Sequence, residues 1–158
     1  MKLLAADKDW LRFQLSDGEK AVLLDVLGLY PCVPPAYHRL SREPRDNADR
    51  ERQRLLDEAL AEQRAQHRRL LQALLHNPDT FRKVGTRWQM TLRRGDFDWL
   101  LQVLNDVRVG SWIALGSPEQ LPRKLPRDAA QAAHACAMEL AGLFQMVLLD
   151  AVEGETAP

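Results

Sequence analysis

Between Ala129 and Leu149 the only strongly polar residues are Gln131, His134, Glu139 and Gln145. A helix over this stretch is apolar on nearly every side, and such a helix has to be buried, either in a core or against another chain. A second apolar run precedes it. Phe97, Leu100, Leu101, Leu104 and Val107 recur at helical spacing and form one inner stripe. Between the two runs, residues 116–127 hold three prolines and read as a loop. Gly110 is expected to break or end the first helix. Asp128 is expected to cap the second, which runs to about Val152. The tail from 153 to 158 is expected to be disordered.

The upstream sequence supplies what could wrap these helices. Trp10-Leu11-Arg12-Phe13-Gln14-Leu15 alternates with period two and predicts a short strand. Ser16 and Glu19 have capping-box spacing ahead of the run Ala21 to Leu27, and Gly28 marks that helix's end. Pro31, Pro34 and Pro35 exclude regular structure, and residues 36–48 read as a charged, irregular linker within the domain. From about Ala48 to Leu75 a long helix is expected, with Leu56, Leu60, Gln63, His67, Leu70 and Leu74 along one seam and Leu71 and Leu75 widening it. Asn77-Pro78 stops it. Thr86 to Arg93 alternates again, with Trp88, Met90 and Leu92 on one face. The strand around Phe13 is its natural partner. Asp96, after Gly95, is expected to cap the next helix. The expected fold is mainly α: a single domain over residues 1–158, a bundle of about four main helices with a minor two-stranded antiparallel ribbon.

The stretch Trp99 to Val107, WLLQVLNDV, in this order of elements resembles an uncharacterised bacterial family of small, mostly helical proteins, a domain of unknown function best known from actinobacteria. The resemblance is strongest over Trp88 to Leu115 and loosest before residue 80. It carries no activity, cofactor or catalytic residue onto this chain, because the family has none established. The run Gly110 to Gly116, GSWIALG, is more apolar than the family's pattern.

Charge and cysteine content bound the function classes. Lys+Arg and Asp+Glu both number 22, so no whole-molecule field draws the chain to nucleic acid or membrane. Cys32 and Cys136, far apart, are not a secreted disulfide framework, and the start MKLLAADKDW lacks the pattern of a signal peptide. Glu139 makes the C-terminal apolar stretch read as too polar for a membrane span. The expected setting is cytoplasmic, without a membrane partner.

No pair among His38, His67, His76, His134, Cys32 and Cys136 has zinc-motif spacing, so no metal or cofactor is expected. No catalytic residue is assigned either. Cys32, between prolines, is the one exposed-looking nucleophile, and no nucleophile elbow or phosphate loop accompanies it. The lead expectation is a non-enzymatic protein-interaction or regulatory protein, self-associating as a homodimer through its apolar helices, with another protein as a further possible partner. Cys136, Leu140, Phe144, Val147 and Leu148 are the expected interface or core positions. The alternative is a nucleic-acid-binding protein using the basic stretch 82–94, with Arg82, Lys83, Arg87, Arg93 and Arg94 as polyanion contacts. An enzyme is the least expected class. Asn105, Asp106 and Arg108 interrupt an apolar helix and are expected to be structural anchors. Arg108 in particular is expected to hold the loop 116–127, so that its loss would cost on the order of one to a few kcal/mol.

Overall fold

The structure, a computed structural model, describes residues 1–40, 46–119 and 126–153. Strands β1 (Lys2–Ala6) and β2 (Trp10–Leu15) open the chain, followed by helices α1 (Asp17–Gly28) and α2 (Asn47–His76). Strands β3 (Phe81–Val84) and β4 (Arg87–Arg93) come next, then helices α3 (Phe97–Ala114) and α4 (Ala129–Glu153). Short 3₁₀ turns occupy Pro35–His38 and Arg94–Asp96.

Alternation puts Leu11, Phe13 and Leu15 on one side of β2, and all three are fully buried. The partner of β2 is β4, antiparallel, with Phe13 opposite Met90 and Leu11 opposite Leu92. That is the pairing the two alternating runs call for. The ribbon is not two-stranded, however. β1 pairs with β2, and β3 with β4, which makes a four-stranded antiparallel sheet of order β1-β2-β4-β3. Each added edge hides its signal for a physical reason. β1 has a register irregularity between Leu3 and Ala5, so its side chains do not alternate cleanly. β3 has only 4 residues and turns into β4 through Gly85-Thr86, where Gly85 adopts φ +60°. Four strands are also what makes the sheet stable, since an isolated hairpin is marginal.

Helices α1 and α4 pack beside the sheet, and α3 pairs closely with α4. Ser16 and Glu19 form the expected capping box at α1: Ser16 Oγ accepts from Glu19 N–H, and the Glu19 carboxylate accepts from Ser16 N–H. α2 starts one residue before its expected position, capped by Asp46, whose Oδ1 accepts from Asp49 N–H at 2.7 Å. Of its apolar seam only His67 and Leu71 are buried. Leu56 and Leu60 are half-buried and Leu55 is exposed, so the first half of α2 extends away from the core. Within the expected linker 36–48, residues 36–38 are helical and 41–45 lie outside the described residues.

The inner stripe of α3 holds as expected at Phe97, Leu100, Leu104 and Val107, all buried, with Leu101 half-buried. Trp99 and Val103 join it. Two expectations on α3 need correction. Asp96 does not cap it through its side chain: its Oδ1 accepts from the Trp99 indole N–H at 3.1 Å, and the 3₁₀ turn feeds the helix instead. Nor does Gly110 end it. The helix runs on to Ala114, and Gly110 is where another segment comes closest. Asp128 caps α4 as expected, accepting from Gln131 N–H at 2.9 Å. Beyond Glu153 the expected tail lies outside the described residues.

By length and composition alone α4 could cross a membrane, so the single Glu139 does not make it too polar for a span. Here the helix buries Ala141, Phe144, Leu148 and Ala151 in the core.

Candidate interaction site

The polar residues of α4 do not make a solvent face. His134 turns toward α3, its Nδ1 3.3 Å from Oγ of the fully buried Ser111. Gln145 donates from Nε2 to the Leu101 carbonyl at 3.2 Å. Both satisfy groups in the α3–α4 seam. With half of its few polar side chains spent inward, α4 shows apolar ones outward. Leu143, Met146 and Leu149 are 51 %, 52 % and 44 % exposed. Their spacing of three residues places them along one face.

This stripe borders a groove between α3 and α4, with a volume of about 540 Å³. Val109 and Trp112 of α3 form one wall, and Met138, Gly142, Leu143 and Met146 of α4 the other. The Trp112 indole N–H donates to the Pro118 carbonyl at 3.1 Å, which fixes its ring. Arg108 and Glu139 sit among the lining residues, one on each helix. The groove is thus an apolar trough with one cation and one anion beside it. Of the positions expected at an interface or in the core, Phe144 and Leu148 are buried, while Leu140 and Val147 are half-buried against the core. Cys136 is exposed, so it is not a core residue.

Asn105, Asp106 and Arg108 separate. Asp106 anchors a loop: its Oδ1 accepts from Cys32 N–H at 2.5 Å and Val33 N–H at 3.2 Å. The anchored loop is the proline-rich 31–34. Arg64 of α2 donates to the Val33 carbonyl at 3.0 Å and holds the same loop from its other side. Arg108 is exposed, and among the described residues its Nη2 lies 3.5 Å from Oδ1 of the exposed Asn105. The loop 116–127 that Arg108 is expected to hold lies outside the described residues from 120 to 125; i, i+3 spacing on an open helix face brings Arg108 and Asn105 to each other. Cys32, held by this loop, is kept as a thiol: burial pushes its pKa up, and the Asp106 charge adds to that.

The basic stretch divides by strand face. Arg82, Arg87 and Arg93 stand on the side of the sheet opposite Phe13 and Met90. Lys83 is on the helix-covered side, 3.5 Å from the Asp17 carboxylate and 5.5 Å from the Trp88 ring centroid. Asp17 also accepts from the Trp88 indole N–H at 2.7 Å, and these contacts lower its pKa, the indole bond most. Arg94 follows the strand and donates from Nε to the Asp7 carbonyl at 2.7 Å. Comparison with protein-family models, curated proteins and solved structures finds no match for this chain.

Proposed function

We propose that this protein is an interaction module that self-associates as a homodimer through the α3–α4 groove. The observation that carries the reading is the row Leu143, Met146 and Leu149, half-exposed beside an apolar trough. Fully burying a side chain of this size contributes roughly 1.5–3 kcal/mol, so each half-exposed one has about 1 kcal/mol still to gain, and a two-fold contact counts every side chain twice. Arg108 and Glu139 on the two helices favour a second copy as the occupant. In a two-fold contact each arginine can face the partner's carboxylate.

Met146→Asp is the test. Met146 is exposed, so the monomer should keep its stability while losing the dimer. Phe144→Asp cannot discriminate, because Phe144 is core. Sedimentation velocity across a hundredfold range of concentration should show a monomer–dimer equilibrium for the unaltered protein and monomer alone for the variant. A monomer mass for the unaltered protein throughout refutes the proposal.

A further inference from the structure

The sheet has a second face, and its composition is one-sided. Leu11, Phe13, Leu15, Met90 and Leu92 turn inward and are buried, so the residues alternating with them turn outward. By register this outward set takes in Lys2 opposite Gln14, Arg82 opposite Gln89, Arg12 opposite Thr91, and Arg93 opposite Trp10, with Arg87 at the end of β4. Cations come from all four strands, and no strand contains an acidic residue. Asp7 and Asp9 lie in the β1–β2 turn and Asp79 precedes β3, so the nearby acids sit at the margin. None of the five cations forms an ion pair with a described residue. Trp10 is half-buried on this face, with the Arg12 guanidinium 4.6 Å from its ring centroid. Sequence order hid this arrangement, because Lys2 and Arg12 are remote from 82–94 and only the strand pairing brings them together.

We propose that the outward face of the sheet binds single-stranded nucleic acid. Along β4, outward residues repeat every two positions, about 7 Å, so Arg87 and Arg93 lie about 20 Å apart. Arg12 and Arg82 stand on the strands flanking β4 between those ends, so cations line a path several nucleotides long. Phosphates supply the charge this face lacks. Trp10, beside a guanidinium, offers a base the stacking partner that sequence-tolerant single-strand binders use, and a duplex keeps its bases stacked away from such a platform. An anionic lipid surface would also answer the charge and seat an interfacial indole, and competition by vesicles tells it from a single strand.

The experiment is fluorescence anisotropy of a labelled 20-nucleotide oligo-dT or oligo-U at 50 and 200 mM salt, beside a duplex of equal length. Five phosphate contacts on a single strand give a log–log salt slope of about −3.5, which is about a 130-fold loss of affinity over that range. Arg87→Gln with Arg93→Gln, both exposed and checked for folding by circular dichroism, should reduce the loss to about 20-fold, as expected for three contacts. Arg50→Gln with Arg69→Gln, on the exposed surface of α2, removes the same charge elsewhere and should leave the slope unchanged. Trp10→Ala should weaken the single strand about 5- to 150-fold and leave the weaker duplex binding unaltered. Preference for DNA or RNA is read from the two oligonucleotides. The proposal is overturned by absence of oligonucleotide binding, by an unchanged slope in the Arg87 and Arg93 variant, by equal duplex binding, or by vesicles of phosphatidylserine that compete as well as the oligonucleotide does.

Discussion

Gly110 sits inside α3, and its lack of a side chain lets the proline-rich loop lie directly on the helix. A Cβ there would stand 2.4 Å from the Cys32 carbonyl carbon and 2.6 Å from Val33 N. Both are backbone atoms, so the loop itself must move. Gly110→Ala gains about 1 kcal/mol of helix propensity. Against this stand about 1–3 kcal/mol of overpacking and the weakening of the two N–H bonds to the Asp106 carboxylate, each contributing roughly 1.5–3 kcal/mol when intact. The net expectation is a destabilisation of about 2–4 kcal/mol. For a domain of this size that lowers Tm by roughly 4–16 °C. Gly142, on the facing helix, is the internal control: its Cβ would meet Arg108 Cδ at 3.7 Å, an ordinary contact. Gly142→Ala should therefore raise Tm, by up to roughly 2–4 °C for the propensity gained. Calorimetry or thermal circular dichroism of the two variants reads both signs. If Gly110→Ala is as stable as Gly142→Ala, the loop does not pack on α3 and the role assigned to Asp106 fails with it.

Three further outcomes follow from the same contacts. Burial pushes the His67 pKa down, opposed by the Asp106 charge, so the unfolded chain binds the proton more readily; stability should fall as pH drops below about 6.5, and His67→Gln should flatten that limb of a pH series of denaturation midpoints. Arg108→Leu should change stability by no more than about 0.5 kcal/mol, as for an exposed side chain with one long contact among the described residues; a loss of several would show it to be an anchor. Asp106→Asn keeps an acceptor oxygen for Cys32 N–H and Val33 N–H but loses its charge, so about 1–2 kcal/mol should go in urea unfolding, with the m-value unchanged.

Elements whose pattern outlasts a turn or two could be read directly from sequence. The alternation around Phe13 and Met90, the 3.6-residue stripe of α3 and the Ser16–Glu19 capping box each involve local periodicity, and each forms where expected. The edge strands could not be read this way. β1 is irregular at Leu3 and Ala5, and β3 is too short to show a period. The turn at Gly85 was the available signal for β3, lying between two apolar-polar runs. Partner choice for polar residues was also hidden, because it depends on packing 70 or more positions away: Asp106 bonds residues separated from it by 74 and 73 in sequence. Likewise Gly110 looked like a helix terminator, and only the approach of Cys32 shows why a glycine stands there.

The same long-range packing explains why an all-round apolar helix is neither wholly core nor simply surface. α3 presents α4 with polar demands, the Ser111 hydroxyl and the Leu101 carbonyl, and these recruit His134 and Gln145 to the inside. A helix with so few polar residues cannot do this and also keep a polar exterior. Had His134 and Gln145 faced water, the Ser111 hydroxyl would have lost its imidazole partner and the Leu101 carbonyl the donor it holds beyond its helical one, a net cost of about 0.5–1.5 kcal/mol for each hydrogen bond. Half-exposing Leu143, Met146 and Leu149 costs a comparable amount in the monomer, about 1 kcal/mol each. The two costs differ in kind. A hydrogen bond lost inside the seam stays lost whatever binds outside, whereas exposed apolar surface is relieved by a partner. Turning His134 and Gln145 inward while Leu143, Met146 and Leu149 stay outward is therefore an arrangement whose remaining cost a partner over the groove, as proposed, would relieve.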